Sequence, residues 1–107
     1  MTELSLQVLL ALGGGAAHGY AIGKDIEERS DGRLDPTTGS LYQALKRLTD
    51  EGLIRQVAAP KGNDGDPRRK YFALTPQGRT AAADEIRRLE DIVLVGRRRQ
   101  LYRAGAR

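Results

Sequence analysis

Thr38, Gln43, Lys46, Arg47 and Asp50 recur through the stretch PTTGSLYQALKRLTDEG at 36–52, and Arg68, Arg69 and Lys70 stand together further on. Hydroxyls, amides and long cations can exchange hydrogen bonds with base edges, and the cations can also meet phosphates. That is the chemistry of recognition, not of bond making. His18 is the single histidine, cysteine is absent, and the acids are scattered at helix-surface spacing. No nucleophile elbow and no metal-ligand spacing occurs. Two phosphate-loop patterns fail: a GxGxxG begun at Gly13 ends on His18, and a Walker-type pattern ending at Gly23-Lys24 has His18 for its first glycine and Asp25 in the Ser/Thr place. The sequence therefore predicts no catalytic residue, no metal ligand and no cofactor, and excludes an enzyme.

The stretch at 36–52 itself predicts a helix. Asp35-Pro36 is a turn and helix-start signal, because the proline ring presets φ and needs no N–H partner. Thr37, Thr38 and Ser40 can cap the first turn. Leu41, Leu45 and Leu48 share one face, and Gly52 ends the helix. Thr38, Gln43, Lys46, Arg47 and Asp50 occupy the opposite face, with Tyr42 on a flank. That face suits a DNA major groove, and it equally fits an ordinary amphipathic surface helix.

The bulk numbers set the frame. A chain of 107 residues makes one domain, with 39% hydrophobic and 5% aromatic residues, so aliphatic side chains must fill a modest core. Residues 1–67 hold 7 Lys/Arg against 10 Asp/Glu; residues 68–107 hold 11 against 4, giving the overall +4. Basic groups gathered in one part point to an anionic partner, or to a solvated surface with an arginine tail. No apolar run approaches the roughly 20 residues that span a bilayer, and Met1 to Leu12 lacks a basic leader. The expected location is cytoplasmic, with no membrane partner.

Leu4 to Leu12 predicts a short helix, apolar on more than one side and so buried in the domain or against a partner. Gly13 to Ala17 reads as a flexible connector, and Tyr20 to Ser30 as a second helix with Ile22 and Ile26 one turn apart. Leu53 to Ala59 and Arg69 to Thr75 are strand candidates around a loop at 60–67 rich in Gly, Pro, Asn and Asp. Two helices, a leucine-faced third and a hairpin with Arg68, Arg69 and Lys70 at its base fit a winged helix-turn-helix. An ordinary hairpin whose cations keep an edge soluble is the other reading. Thr75-Pro76 starts a last helix, where Ala82, Ile86, Leu89 and Val93 form a stripe extended by Ile92. A stripe projecting from a domain of this size suggests pairing with a second chain. Residues Arg97 to Arg107 make a basic end, solvated or an auxiliary DNA contact.

LLALGGGAAHGYAI at 9–22, DPTTGSLYQALKRLTDEGLI at 35–54 and RRKYFALTPQG at 68–78, in that order, resemble the PadR family of transcriptional regulators in its short form with one C-terminal helix. The resemblance covers roughly residues 4–93. It implies a mainly α fold with a small β-hairpin (α+β), a winged helix-turn-helix over 1–75 and a dimerisation helix with basic tail over 76–107. It implies a homodimeric repressor of palindromic double-stranded DNA, touching DNA through Tyr20, Thr38, Ser40, Tyr42, Lys46 and Arg47, with Arg68, Arg69 and Lys70 in the wing. Gly19, Leu41, Leu45, Leu48 and Gly52 become scaffold; Tyr42 equally suits a core, and Tyr71 is read as core. Dimerisation falls to Leu6, Leu9, Ala82, Ile86, Leu89 and Val93, between the first and last helices. A small-molecule effector is implied at that dimer interface, though the lack of tryptophan disfavours an aromatic sandwich. Replacing Arg47 is expected to weaken DNA binding without loss of stability. The alternative is a winged helix that binds proteins without DNA sequence preference.

Overall fold

The computed structural model describes residues 1–60, 69–103 and 105. In chain order it comprises α1 (Glu3–Leu12), β1 (Ala17–His18), α2 (Gly19–Arg29), α3 (Thr38–Asp50), β2 (Ile54–Val57), β3 (Tyr71–Leu74) and α4 (Pro76–Arg98). This is the winged-helix α+β fold expected. Each long element begins where a side chain can take a stray amide. Thr2, His18, Thr37 and Thr75 accept from Ser5, Ala21, Ser40 and Gly78 respectively. Pro36 therefore sits just ahead of the cap of α3 and not inside its first turn, whereas Pro76 does hold the first position of α4.

The end of α3 is closed by glycine. Gly52 lies at φ +77°, which lets its amide reach the Thr49 carbonyl (3.0 Å) while the Leu53 amide reaches Leu48 (3.0 Å). A side chain at Gly52 would be strained at that φ. Leu53 then leads straight into β2.

The sheet has the order β1-β3-β2, all antiparallel. β2 and β3 form the expected pair, with Ile54 opposite Leu74 and Val57 opposite Tyr71. The expected connector before α2 is corrected at its end: Ala17 and His18 pair with Phe72 and Tyr71 as a third strand. Glycine content made that segment look loose, but two residues are enough to satisfy the open edge of β3.

α1 lies at the centre, touching α2, α3, α4 and β3. Val8, Leu9 and Leu12 are buried there with Ile22 and Ile26 of α2, Leu41, Leu45 and Leu48 of α3, and Ile54, Phe72 and Ala82. Gly23 lets α2 cross α3 closely, since an added Cβ would stand 3.3 Å from Leu41. No helix among the described residues is long and apolar enough to cross a membrane.

Candidate nucleic-acid interface

Burying Leu41, Ala44, Leu45 and Leu48 fixes the rotation of α3 and turns its polar side outward. The side chains there fall on two flanks. At roughly 100° per residue, Lys46 lies about 40° from Tyr42, whereas Arg47 lies about 140° away. Tyr42 and Lys46 face β3; Arg47 faces α1.

On the β3 flank the chain forms a cleft of about 580 Å³. Its walls come from the start of α2 (His18, Gly19, Tyr20), from α3 (Tyr42, Leu45, Lys46, Thr49, Asp50) and from the sheet region (Gln56, Arg69, Lys70, Phe72). Tyr20 and Tyr42 remain 68% and 48% exposed, so both rings are presented and not packed away. Tyr42 is thus not the core residue that was the alternative for it, while Tyr71 is buried. The Tyr42 ring lies over the first turn of α2 because residue 19 is glycine: an added Cβ would stand 2.8 Å from its hydroxyl. On the far side of these two tyrosines a second hollow of about 370 Å³ is lined by Lys24, Glu27, Pro36 and Thr38. Tyr20 and Tyr42 therefore form a ridge between two depressions.

Lys46 is held upright by Asp50 at 2.9 Å, an exposed one-turn ion pair. Arg69 Nη1 lies 2.9 Å from His18 Nε2, which sets the residue ahead of β3 beside the start of α2. His18 is wedged edge-on against Tyr71, with ring centroids 5.3 Å apart. Its burial, and then the charge of Arg69, push the imidazole below the ordinary histidine pKa. The ring's hydrogen-bond contacts are the Ala21 amide and Arg69, and no cluster of His, Cys, Asp or Glu that could hold a metal ion occurs among the described residues.

The fold thus brings together Tyr20, Thr38, Tyr42, Lys46, Arg69 and Lys70. It does not bring Ser40 or Arg47 to them. Ser40 turns its hydroxyl back onto the Thr37 carbonyl (3.1 Å), as part of the cap. Arg47 donates to Ser5 Oγ of α1 (3.0 Å), beside Thr2 and Glu51. Arg68 lies outside the described residues. The dimerisation set also divides. Leu6, Leu9 and Ala82 are buried within the chain's own core, because α1 packs inside the same chain; Ile86, Leu89 and Val93 stay exposed on α4. Of the residues expected around an effector, Leu6 and Leu9 lie in this chain's core, while Ile86, Leu89 and Val93 line a hollow of about 310 Å³ on α4.

The sequence reading weighed His18 only as a catalytic or phosphate-loop residue and gave it no part in capping α2 or in the site. The usual capping residues are Ser, Thr, Asp and Asn, and its contact with Arg69 depends on a strand pairing across 51 positions.

Comparison with known proteins matches residues 8–84 to the model of the transcriptional regulator PadR-like family. The chain belongs to the PadR-like family of transcriptional regulators. As such it is placed among regulators and not among enzymes. Similar solved structures include a PadR family transcription regulator from Clostridium difficile, with 25% identity and a TM-score of 0.76 over 91% of this chain and 97% of that one. Bacillus subtilis PadR, solved in complex with operator DNA, shares 27% identity at a TM-score of 0.66, over 79% of this chain and 47% of that one. A 37.1 kDa protein in a transposon of Streptomyces fradiae is 46% identical over 77 residues, 72% of this PadR-like chain. This chain spans 20% of the length of that relative.

Proposed function

We propose that this PadR-like chain is a transcriptional regulator that binds double-stranded DNA, lays the exposed side of α3 in the major groove and grips the backbone with the base of β3. The observation that carries this reading is the convergence of Tyr20, Tyr42, Lys46, Arg69 and Lys70 on one cleft between α3 and the sheet. A groove edged by cations and floored by a helix with polar side chains offers both phosphate and base-edge contacts. The B. subtilis relative was solved in complex with operator DNA, which favours DNA as the partner here. The stripe on α4 supports a homodimer, whose two-fold symmetry would call for a palindromic operator and repression by occupancy.

Fluorescence anisotropy on a labelled duplex from the gene's own upstream region, beside a scrambled duplex, tests this at low and physiological salt. A preference on the order of a thousandfold, with two chains per duplex, is the expected result. Equal, salt-sensitive binding to both would reduce the reading to a basic surface. Absence of binding at either salt would favour the protein-binding alternative.

A further inference from the structure

The ring of His18 meets two hydrogen-bond partners that it cannot serve together. The Ala21 amide donates to Nδ1 at 3.1 Å, and Arg69 Nη1 stands 2.9 Å from Nε2. A backbone amide can only donate, and so can a guanidinium. A neutral imidazole has one lone-pair nitrogen and one N–H, so it can accept one of these bonds and not both. Keeping the Ala21 bond leaves the proton on Nε2, where one N–H faces another across to Arg69. Giving the lone pair to Arg69 instead breaks the bond that starts α2.

An acceptor between Nε2 and Arg69 removes the conflict. One anionic oxygen can take both donors while Nδ1 keeps Ala21, and charge-assisted bonds of this kind are the strong ones. Arg69 is exposed and long, so it can give way to admit that oxygen. The cleft selects the anion: Lys70 and Lys46 line it with this pair, and its carboxylate, Asp50, is engaged by Lys46.

We propose that His18 Nε2–H and the Arg69 guanidinium jointly hold one phosphate oxygen of a DNA backbone, with His18 in its neutral, Nε2-protonated form. This rests on the DNA reading above and adds to it a contact that carries no charge. Because the ring is neutral, it strengthens binding without releasing a counterion, unlike Arg69. Because a phosphate carries no sequence, the gain applies to every duplex alike.

The test pairs spectroscopy on the unaltered protein with three variants. As the single histidine, His18 gives one set of ring 15N signals, which report tautomer directly. Adding a duplex at neutral pH is expected to drive the ring to the Nε2–H form with Nδ1 still accepting. His18→Ser keeps a capping oxygen for Ala21 but cannot reach the cleft. It is expected to melt like the parent and bind DNA about three- to tenfold more weakly, at an unchanged salt slope. Arg69→Ala should lower the slope by about one, and the double variant should cost less than the two single losses combined, because both donors share one acceptor. A duplex that binds while leaving the ring signals unmoved, or His18→Ser binding like the parent, overturns the proposal and leaves the DNA reading standing. Inorganic phosphate moving the signals where a bound duplex does not would assign the pair to a free anion and overturn it too. No duplex binding under any condition overturns both.

Discussion

α3 and α4 are both amphipathic helices, and they spend their apolar faces in opposite ways. α3 buries Leu41, Ala44, Leu45 and Leu48 and turns its polar side outward. α4 buries only Gly78 and Ala82, near its start, and presents Ile86 (39% exposed), Leu89 (38%), Ile92 (54%) and Val93 (40%). A polar face presented beside cations asks for a charged, hydrogen-bonding partner, and an apolar stripe asks for another apolar surface. On the function proposed above, the contrast divides the chain into a reading end and a pairing end.

The largest expected effect tests whether the start of α4 belongs to the reading end. A Cβ at Gly78 would collide with the Leu53 carbonyl oxygen, and backbone cannot yield as a side chain can. Gly78→Ala should lower stability by about 3 kcal/mol, read by urea unfolding. Little change would show α4 to be loosely seated. Next, Leu89→Asp with Val93→Asp should weaken self-association by about a hundredfold, read by sedimentation equilibrium, with melting of the monomer unaltered. If association survives, the stripe is not the pairing surface. Lys46→Ala should weaken DNA binding about tenfold at low salt and reduce the salt slope by about one. Arg47→Ala sharpens the division between the flanks of α3. Its bond to Ser5 predicts a loss of about 1 kcal/mol in stability, and an effect on DNA far below that of Lys46→Ala. The reverse result would return Arg47 to the reading face.

Acidification should give the smallest effect. The folded pKa of His18 is lowered, so the folded chain binds fewer protons than the unfolded one, and stability falls as pH drops below roughly 6.5 toward the folded value. Protonation removes the lone pair that accepts from Ala21. His18→Ser should flatten thermal melts across that window. Arg33 and Arg88 hold Glu3 and Glu85 below the ordinary carboxylate pKa through hydrogen bonds, so any loss at those exposed pairs comes lower, in the carboxylate range.

Where local spacing decides structure, the sequence was readable. Leucines one turn apart defined the buried side of α3, Gly52 its end, and Thr75-Pro76 the start of α4. What lay in long-range pairing was not. Ala17-His18 became a strand only because β3 offers an edge more than fifty positions away, and the same pairing sets Arg69 against His18. Leu6, Leu9 and Ala82 entered the dimer set through the family resemblance and their apolar faces, neither of which says whose core a side chain fills; in this chain they are buried in its own. The family resemblance placed Ser40 and Arg47 with Tyr42 and Lys46 by motif position, which carries no information on what each side chain meets in this chain. The period of α3 separates the two flanks, and its neighbours decide what each flank meets.

One small knot of backbone joins the two ends. Thr75 Oγ1 donates to the Gly52 carbonyl (2.6 Å) and accepts from the Gly78 amide (3.0 Å), while the Thr75 amide donates to Leu53 (3.2 Å). The segment leaving α3 is thereby tied to the first turn of α4 through the amide and short side chain of Thr75. Mechanically the two helices form a crank: α4, about 35 Å long at 1.5 Å per residue, is the arm and α3 the bit. In the proposed dimer, tilt imposed far out on the arm would be passed toward the bit, so the distance between two reading helices would follow how their arms cross.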